Sequence, residues 1–388
     1  MSWRSRLILV SLVSGVSVGI VYLVQPLLPL IARDFSVGTT VATVAATMFL
    51  VGYAVGVLSL IALSDRIQAR TQVQLQALAV AGFLLLGAFA PTFGVLCIAA
   101  FGAGVFTTIG QVLLAAMVRA SAPGASGSTT SVLAGAFLIG IFGSRILAGI
   151  IGSAVGWRPV LAGAAVIMLL GIPPLRRATP TREIDRSLNY WSILRSLPRL
   201  AASNSVLRVA TTIQFFSFAG FQGLWSLITL HLVAQPLAWS VAGAGMIGIV
   251  GIAAGGASIA VGRVVDRRGS VVILGWALAL LLVSSVTVAL FPELPIPLII
   301  AFFGLTLGLQ VVQVVTQSQA LRSAGQTDTG RSNSVYMFGA FVGGSAGTAV
   351  GGFIYGGGDY RLVAVFAVAT TIVASGFQIL RGRRLFAW

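Results

Sequence analysis

Lysine is missing from this chain: all 24 basic residues among its 388 are arginine, and only eight residues are acidic. Without lysine there is no phosphate-loop motif of the ATP-driven pumps and no amine for Schiff-base chemistry. One histidine (His231) and one cysteine (Cys97) are too few for zinc-site spacings or a disulfide framework. No cofactor or metal is expected. Charged residues make up 8% of the chain, against about 25% in soluble domains. That shortage excludes a soluble enzyme, a disordered regulator and a coiled coil.

What is present is apolar. Hydrophobic residues make up 57% of the chain, and the mean hydropathy is +1.01. A net charge of +16 would suit nucleic acid if it formed one patch. Here the arginines lie in short segments between long apolar runs, the pattern that sets topology in a bilayer and argues against nucleic acid. A spanning helix needs about 20 apolar residues. Twelve runs qualify, near 7–31, 41–63, 73–90, 93–118, 130–154, 159–175, 205–233, 239–262, 271–291, 296–321, 333–356 and 361–380. The first is too long for a signal-peptide core and lacks a small-residue cleavage site, so it reads as a retained span, kinked by Pro26 and Pro29. The fold class is an all-α polytopic membrane protein.

Orientation follows from arginine. With the N-terminus in the cytoplasm, twenty arginines fall in inner segments and three (Arg33, Arg158, Arg361) in outer ones, with Arg145 left inside a helix. Twelve spans then put both termini in the cytoplasm. The longest polar stretch, 176–204, separates residues 1–175 from 205–388, six spans each. Within it Ser187–Leu200 reads either as a helix on the inner membrane surface or as plain linker.

The halves repeat. Asp65-Arg66 matches Asp266-Arg267 at an offset of 201, and Gly156-Trp157-Arg158 matches Asp359-Tyr360-Arg361 at 203. Ala136, Gly140, Ser144 and Ala148 on the fifth run map, again at 203, onto Gly339, Gly343, Gly347 and Gly351 on the eleventh. Spacing by four keeps each set on one helix face, where small residues let membrane helices approach closely. An offset of six spans preserves direction, which makes this a parallel repeat about the membrane normal.

Two motifs carry a family resemblance. Gly262-Arg263-Val264-Val265-Asp266-Arg267-Arg268-Gly269 resembles the Gly-x-x-x-Asp-Arg-x-Gly loop of the major facilitator superfamily; its first-half copy, around Asp65, Arg66 and Arg70, has Ile61 and Gln68 in place of the two glycines. Gly140-x-x-x-Ser144-Arg145-x-x-Ala148-Gly149 is similar to the fifth-helix motif of its drug:proton antiporters, with arginine in place of proline. The resemblance, to the bacterial drug- and metabolite-efflux branch, covers the whole chain. It implies two six-helix bundles that rock about a midplane site, lined by the first, fourth, seventh and tenth helices. It also implies a cytoplasmic gate, with Asp65 near the start of the eleventh helix and Asp266 near that of the fifth. Each carboxylate meets a partly positive helix N-terminus, worth about 0.3–1 kcal/mol.

Polar residues inside spans are costly and mark sites. On the lining helices stand Tyr22 and Gln25 (first), Gln111 (fourth), Gln214, Phe218, Gln222 and Trp225 (seventh), and Gln310, Gln313 and Gln317 (tenth). Their plain alternative is interhelical hydrogen bonding, worth about 0.6 kcal/mol each. Arg145, which costs at least about 2.5–3.5 kcal/mol to insert, reads either as a counter-charge or latch, or as a fork satisfied by carbonyls and amides. No acid falls at a midplane position, so a proton-coupling carboxylate is not visible. Asp34 reads as a solvated helix end and His231 as a packing or interfacial residue.

The leading expectation is a monomeric secondary transporter that exports a small, largely apolar or amphipathic solute, with a coupling proton as a further partner. The alternatives are an importer of a small organic anion held by Arg145, and a transport-inactive sensor or scaffold. A membrane enzyme would need a base or metal site that these residues do not supply.

Overall fold

The computed structural model describes residues 2–63, 66–122, 125–180, 190–382 and 386, with the side chains at 62, 126, 193, 259–268 and 325–328 left aside. Twelve helices in it are long and apolar enough to cross a membrane. They are Trp3–Ile20, Thr39–Ile61, Ala69–Ala88, Phe93–Ala120, Gly127–Val155 and Trp157–Ala178 in the first half. Ser205–Val233, Val241–Ser258, Ser270–Leu290, Pro295–Arg322, Thr329–Tyr355 and Tyr360–Gly382 follow in the second. Large apolar side chains such as Leu12, Ile98, Leu170, Trp276, Ile300 and Phe353 stand exposed. On a soluble protein that surface would aggregate; in a bilayer it is solvated by lipid tails.

Each half forms a six-helix bundle held by its small-residue stripe. A Cβ added at Gly140 would overlap the Gly15 carbonyl, and one at Gly343 or Gly347 would overlap the backbone at Phe215 or Ala219. Gly351 likewise meets Gly223. The fifth helix thus lies on the first as the eleventh lies on the seventh, backbone against backbone. Turns between the paired outer helices use positive-φ glycines, Gly156 (φ +89°) before the sixth and Gly358 (φ +81°) before the twelfth, a conformation that costs glycine little.

Three spans are broken. The first run does not continue as one helix to residue 31: α-helix ends at Ile20, a 3-10 turn covers Gln25–Leu27, and helix resumes over Leu28–Asp34. The break starts ahead of the prolines because Pro26 has no N–H for the Tyr22 carbonyl and Pro29 none for that of Gln25. Three-residue bonds replace them, with Gln25 N–H donating to the Tyr22 carbonyl (3.2 Å) and Leu27 N–H to that of Val24 (3.0 Å). The fourth span breaks between Phe106 and Ile109. There the Thr107 carbonyl accepts from Ser17 Oγ (2.9 Å) and the Thr108 hydroxyl from Gln76 Nε2 (3.0 Å). The eighth breaks between Gly245 and Gly248. Freed backbone groups at membrane depth are tolerable where such partners take them up.

An even number of spans puts both chain ends on one face; the opposite one is the far face. The bundles meet from the membrane middle to the far face. Cβ atoms added at Gly149 and Gly245 would touch each other's helices at 3.0–3.1 Å, and Gly352 and Gly356 press on Thr43 and Thr40. In the middle, Tyr53 packs on Phe341 with ring centroids 4.4 Å apart. Within 176–204 the described part includes a helix over Tyr190–Ser203, which packs on the second, seventh and eleventh helices near the chain-end face.

Candidate functional site

The break in the first span sets the site. It turns Gln25 off the α-helical path and towards Arg145, 120 residues away on the fifth helix. Gln25 Oε1 accepts from both Arg145 Nε (3.2 Å) and Nη2 (2.8 Å), and Nη1 donates to the Ile141 carbonyl (3.0 Å). Three rings surround the guanidinium carbon, with the centroids of Tyr22 at 4.6 Å, Trp225 at 5.1 Å and Phe142 at 5.2 Å. Such a contact is worth about 2 kcal/mol when desolvated. Arg145 is 4% exposed. Its surroundings match the fork reading, with an amide and a carbonyl as partners, and Trp225 of the second half places it where the bundles meet.

Burial here leaves polar atoms unsatisfied. Gln222 is fully buried, and neither its amide oxygen nor its nitrogen has a partner. Trp225 Nε1, Gln25 Nε2, Ser217 Oγ, Gln214 Oε1 and Thr348 Oγ1 are also buried and unpartnered. Each such group costs about 1–3 kcal/mol if nothing ever reaches it. Of these, Gln25 and Trp225 touch the Arg145 guanidinium, one from each half.

Aromatic contacts continue from this centre. Trp225 packs edge-on against Phe302 of the tenth helix (4.9 Å) and lies 5.9 Å from Phe221. Phe218 meets Phe341 (5.5 Å), which meets Tyr53. Gln111 faces the Tyr53 hydroxyl. Sequence reasoning missed Tyr53, Phe142, Phe302 and Phe341. Three of them stand on the second, fifth and eleventh helices, which the resemblance does not count as lining. Their aromatic character inside apolar runs looks the same as that of core residues.

The three tenth-helix amides do not act alike. Gln317 donates to Asn333 Oδ1 on the eleventh helix (2.8 Å), an interhelical bond. Gln310 and Gln313 are half-buried, and their side chains have no hydrogen-bond partner among the described residues. Asp65 of the expected gate lies outside the described residues, as do the side chains of Asp266 and Arg267 and the surroundings of Gly262. Arg66, in the turn after the second span, and Arg70, in the first turn of the third, are half-buried. Gly269 has φ +80° between the eighth and ninth helices, which explains a glycine at that place in the loop motif.

Of two expected bystanders, one is more engaged than the sequence suggests. Asp34 is not a free helix end: it accepts from Arg158 Nη2 (3.0 Å) and Trp157 Nε1 (3.2 Å), tying the first span to the sixth. His231 packs, as expected, with Nε2 2.7 Å from the Pro292 carbonyl and its ring stacked on Tyr360 at 4.3 Å. A separate groove of about 760 Å³ between the first, fifth and sixth helices is walled by apolar residues such as Leu12, Ile139 and Ile167. It suits lipid tails.

Known proteins show the same design. The Major Facilitator Superfamily profile matches residues 7–348 and, again, 210–384. The uncharacterized transporter YgaY of Escherichia coli O157:H7 is 28% identical over 95% of this chain and 93% of its own. The probable transporter SCO4007 of Streptomyces coelicolor is 30% identical over 91% and 82%. Among solved structures, a point mutant of the nucleoside transporter NupG superposes with a TM-score of 0.79 at 12% identity, covering 98% of this chain and all of that one. A bacterial homolog of the human lysosomal transporter Spinster gives 0.76 at 14%, over 100% and 98%. The second profile match begins within the seventh helix, as a duplicated six-span unit requires. With twelve spans in two like-oriented bundles, a polar seam between them and these relatives, the chain belongs to the major facilitator superfamily and is a multi-pass bacterial membrane transporter whose fold suits alternating access.

Proposed function

We propose that this transporter exports a small amphipathic solute through the seam between its bundles, with residues 1–175 and 205–388 as the two rocking bodies. The observation that carries the reading is the unpartnered Gln222 amide, fully buried on the seventh helix one turn from Phe218 and from Trp225. A group so costly in a dry interior is retained where a solute offsets that cost during the cycle. Gln310 and Gln313, half-buried and towards the chain-end face, extend the path; Gln111 and Gln214 flank it. The amides and rings recognise an amphipathic solute by hydrogen bonds at one end and apolar contact at the other.

The arginine asymmetry supports placing both termini in the cytoplasm. The far face is then the outside, and the closed far half is the arrangement in which an exporter collects solute from within. Export itself rests on the fifth-helix motif. Asp65 and Asp266 serve as the cytoplasmic latch of the opposite, outward-open state. Asp266→Asn raises thiol labelling of a cysteine placed at Gln310; unchanged labelling removes the latch.

Counterflow in proteoliposomes with a chemically diverse solute panel tests the reading. Wild-type protein accelerates exchange of at least one amphipathic solute, and Gln310→Ala with Gln313→Ala slows it several-fold while the protein still inserts. A carrier that moves none of the panel overturns the reading. Susceptibility and uptake assays in a sensitive host fix direction.

A further inference from the structure

Arg145 is the charge set deepest in any span of this chain, and the ion pair among the described residues, Arg158–Asp34, lies elsewhere, at the far face. What faces Arg145 is neutral: one amide oxygen, one carbonyl and three rings. The amide oxygen is informative. Gln25 Oε1 bridges Nε–H and Nη2–H, the edge of guanidinium that pairs with an oxyanion. A neutral oxygen thus holds the place where a negative one gains more, in a medium where an uncompensated cation is disfavoured.

The unpartnered atoms around it point the same way. Of the groups that touch the guanidinium, Gln25 Nε2 and Trp225 Nε1 are buried without a partner. Both are donors. A cationic solute finds the ring faces of Tyr22, Phe142 and Trp225 already occupied by Arg145 and no acid to meet. Neutral solutes leave the charge uncompensated. A monoanion answers both deficits, because its acid group is acceptor-only.

Resting on the reading of this seam as the substrate site, we infer that the solute is an organic monoanion. Its carboxylate or sulfonate takes the place of Gln25 Oε1 on Arg145, and its compact apolar body lies against Trp225 and Phe142. The displaced Gln25 turns its amide N–H to the same acid group. Before loading, the site is a cation held by a placeholder amide; once loaded, it is neutral.

Thermal stabilisation of the full-length protein in detergent tests this with benzoate, benzenesulfonate and hexanesulfonate against benzamide and benzylamine. The anions stabilise the wild type, and the amide and amine do so at least roughly tenfold more weakly in apparent affinity. Arg145→Gln loses the anion response and Arg145→Lys keeps part of it. Gln25→Glu, which builds a competing carboxylate beside Arg145, is folded and also loses it. Equal stabilisation by benzamide or benzylamine, no stabilisation by any anion, or an unaltered anion response in Gln25→Glu overturns the inference. Counterflow of labelled benzenesulfonate, which does not cross lipid unaided, separates the two claims. Anion binding without flux upholds the anion site and removes the carrier reading. Flux of neutral solutes that survives Arg145→Gln upholds the carrier and removes the anion site.

Discussion

The two halves share a scaffold and differ in chemistry. Gly140 sits on Gly15 as Gly343 sits on Phe215, which sets first-half position 22 against 222 and 25 against 225. Tyr22 therefore corresponds to Gln222, and Gln25 to Trp225: each half supplies one amide and one aromatic, in opposite order. The fifth helix has Arg145 where the eleventh has Thr348, which is fully buried with its hydroxyl unpartnered. The first span is broken by its two prolines, while the seventh runs unbroken over Ser205–Val233. Far-face ties diverge as well. Trp157 reaches Asp34, whereas Tyr360 donates to the Leu224 carbonyl (2.8 Å) and stacks on His231. Packing is thus the duplicated property, and the polar and aromatic groups set on that scaffold are not.

Copying the asymmetric residue across the repeat breaks the comparison most severely. Thr348→Arg adds a second buried cation with no broken helix to bring it an amide. It costs at least about 2.5–3.5 kcal/mol and shows as lost monodisperse protein on size exclusion in detergent. Gly347→Ser gives the eleventh helix the residue that its fifth-helix counterpart, Ser144, already carries. In the second half its Cβ meets the Ala219 backbone, so the melting temperature falls by the equivalent of about 1–3 kcal/mol. Wild-type stability would mean that the two stripes pack alike after all.

Gln222→Leu sharpens the comparison from the other side. Both amide atoms lack partners, so removing them leaves stability unchanged or raises it by up to about 1 kcal/mol, while counterflow is lost. A large drop in melting temperature would make Gln222 a structural residue. The smallest effect belongs to Asp34→Asn. The Arg158 pair is well exposed on both sides (39% and 44%), and its loss changes stability by less than about 1 kcal/mol, with exchange rates intact.

Much of this protein was written in composition and spacing. Twelve apolar runs have no alternative to helices in lipid, because every backbone group must be satisfied within its own segment. The four-residue stripes at constant offset reveal which helix faces touch backbone to backbone, since only missing side chains allow it. Arg145 and the seventh-helix amides stand out because polarity is rare at that depth. Tertiary structure alone decided what these groups meet. That Gln25 turns onto Arg145 depends on where a proline-broken helix resumes. That Phe142, Tyr53 and Phe341 join the seam depends on which helices the bundles press together. That Gln317 is spent on Asn333 while Gln310 and Gln313 are not depends on the same packing. A one-dimensional pattern fixes which face a side chain shares with its neighbours in sequence; the partner across the interface is set by the rotation and depth of another helix, and no local periodicity encodes that.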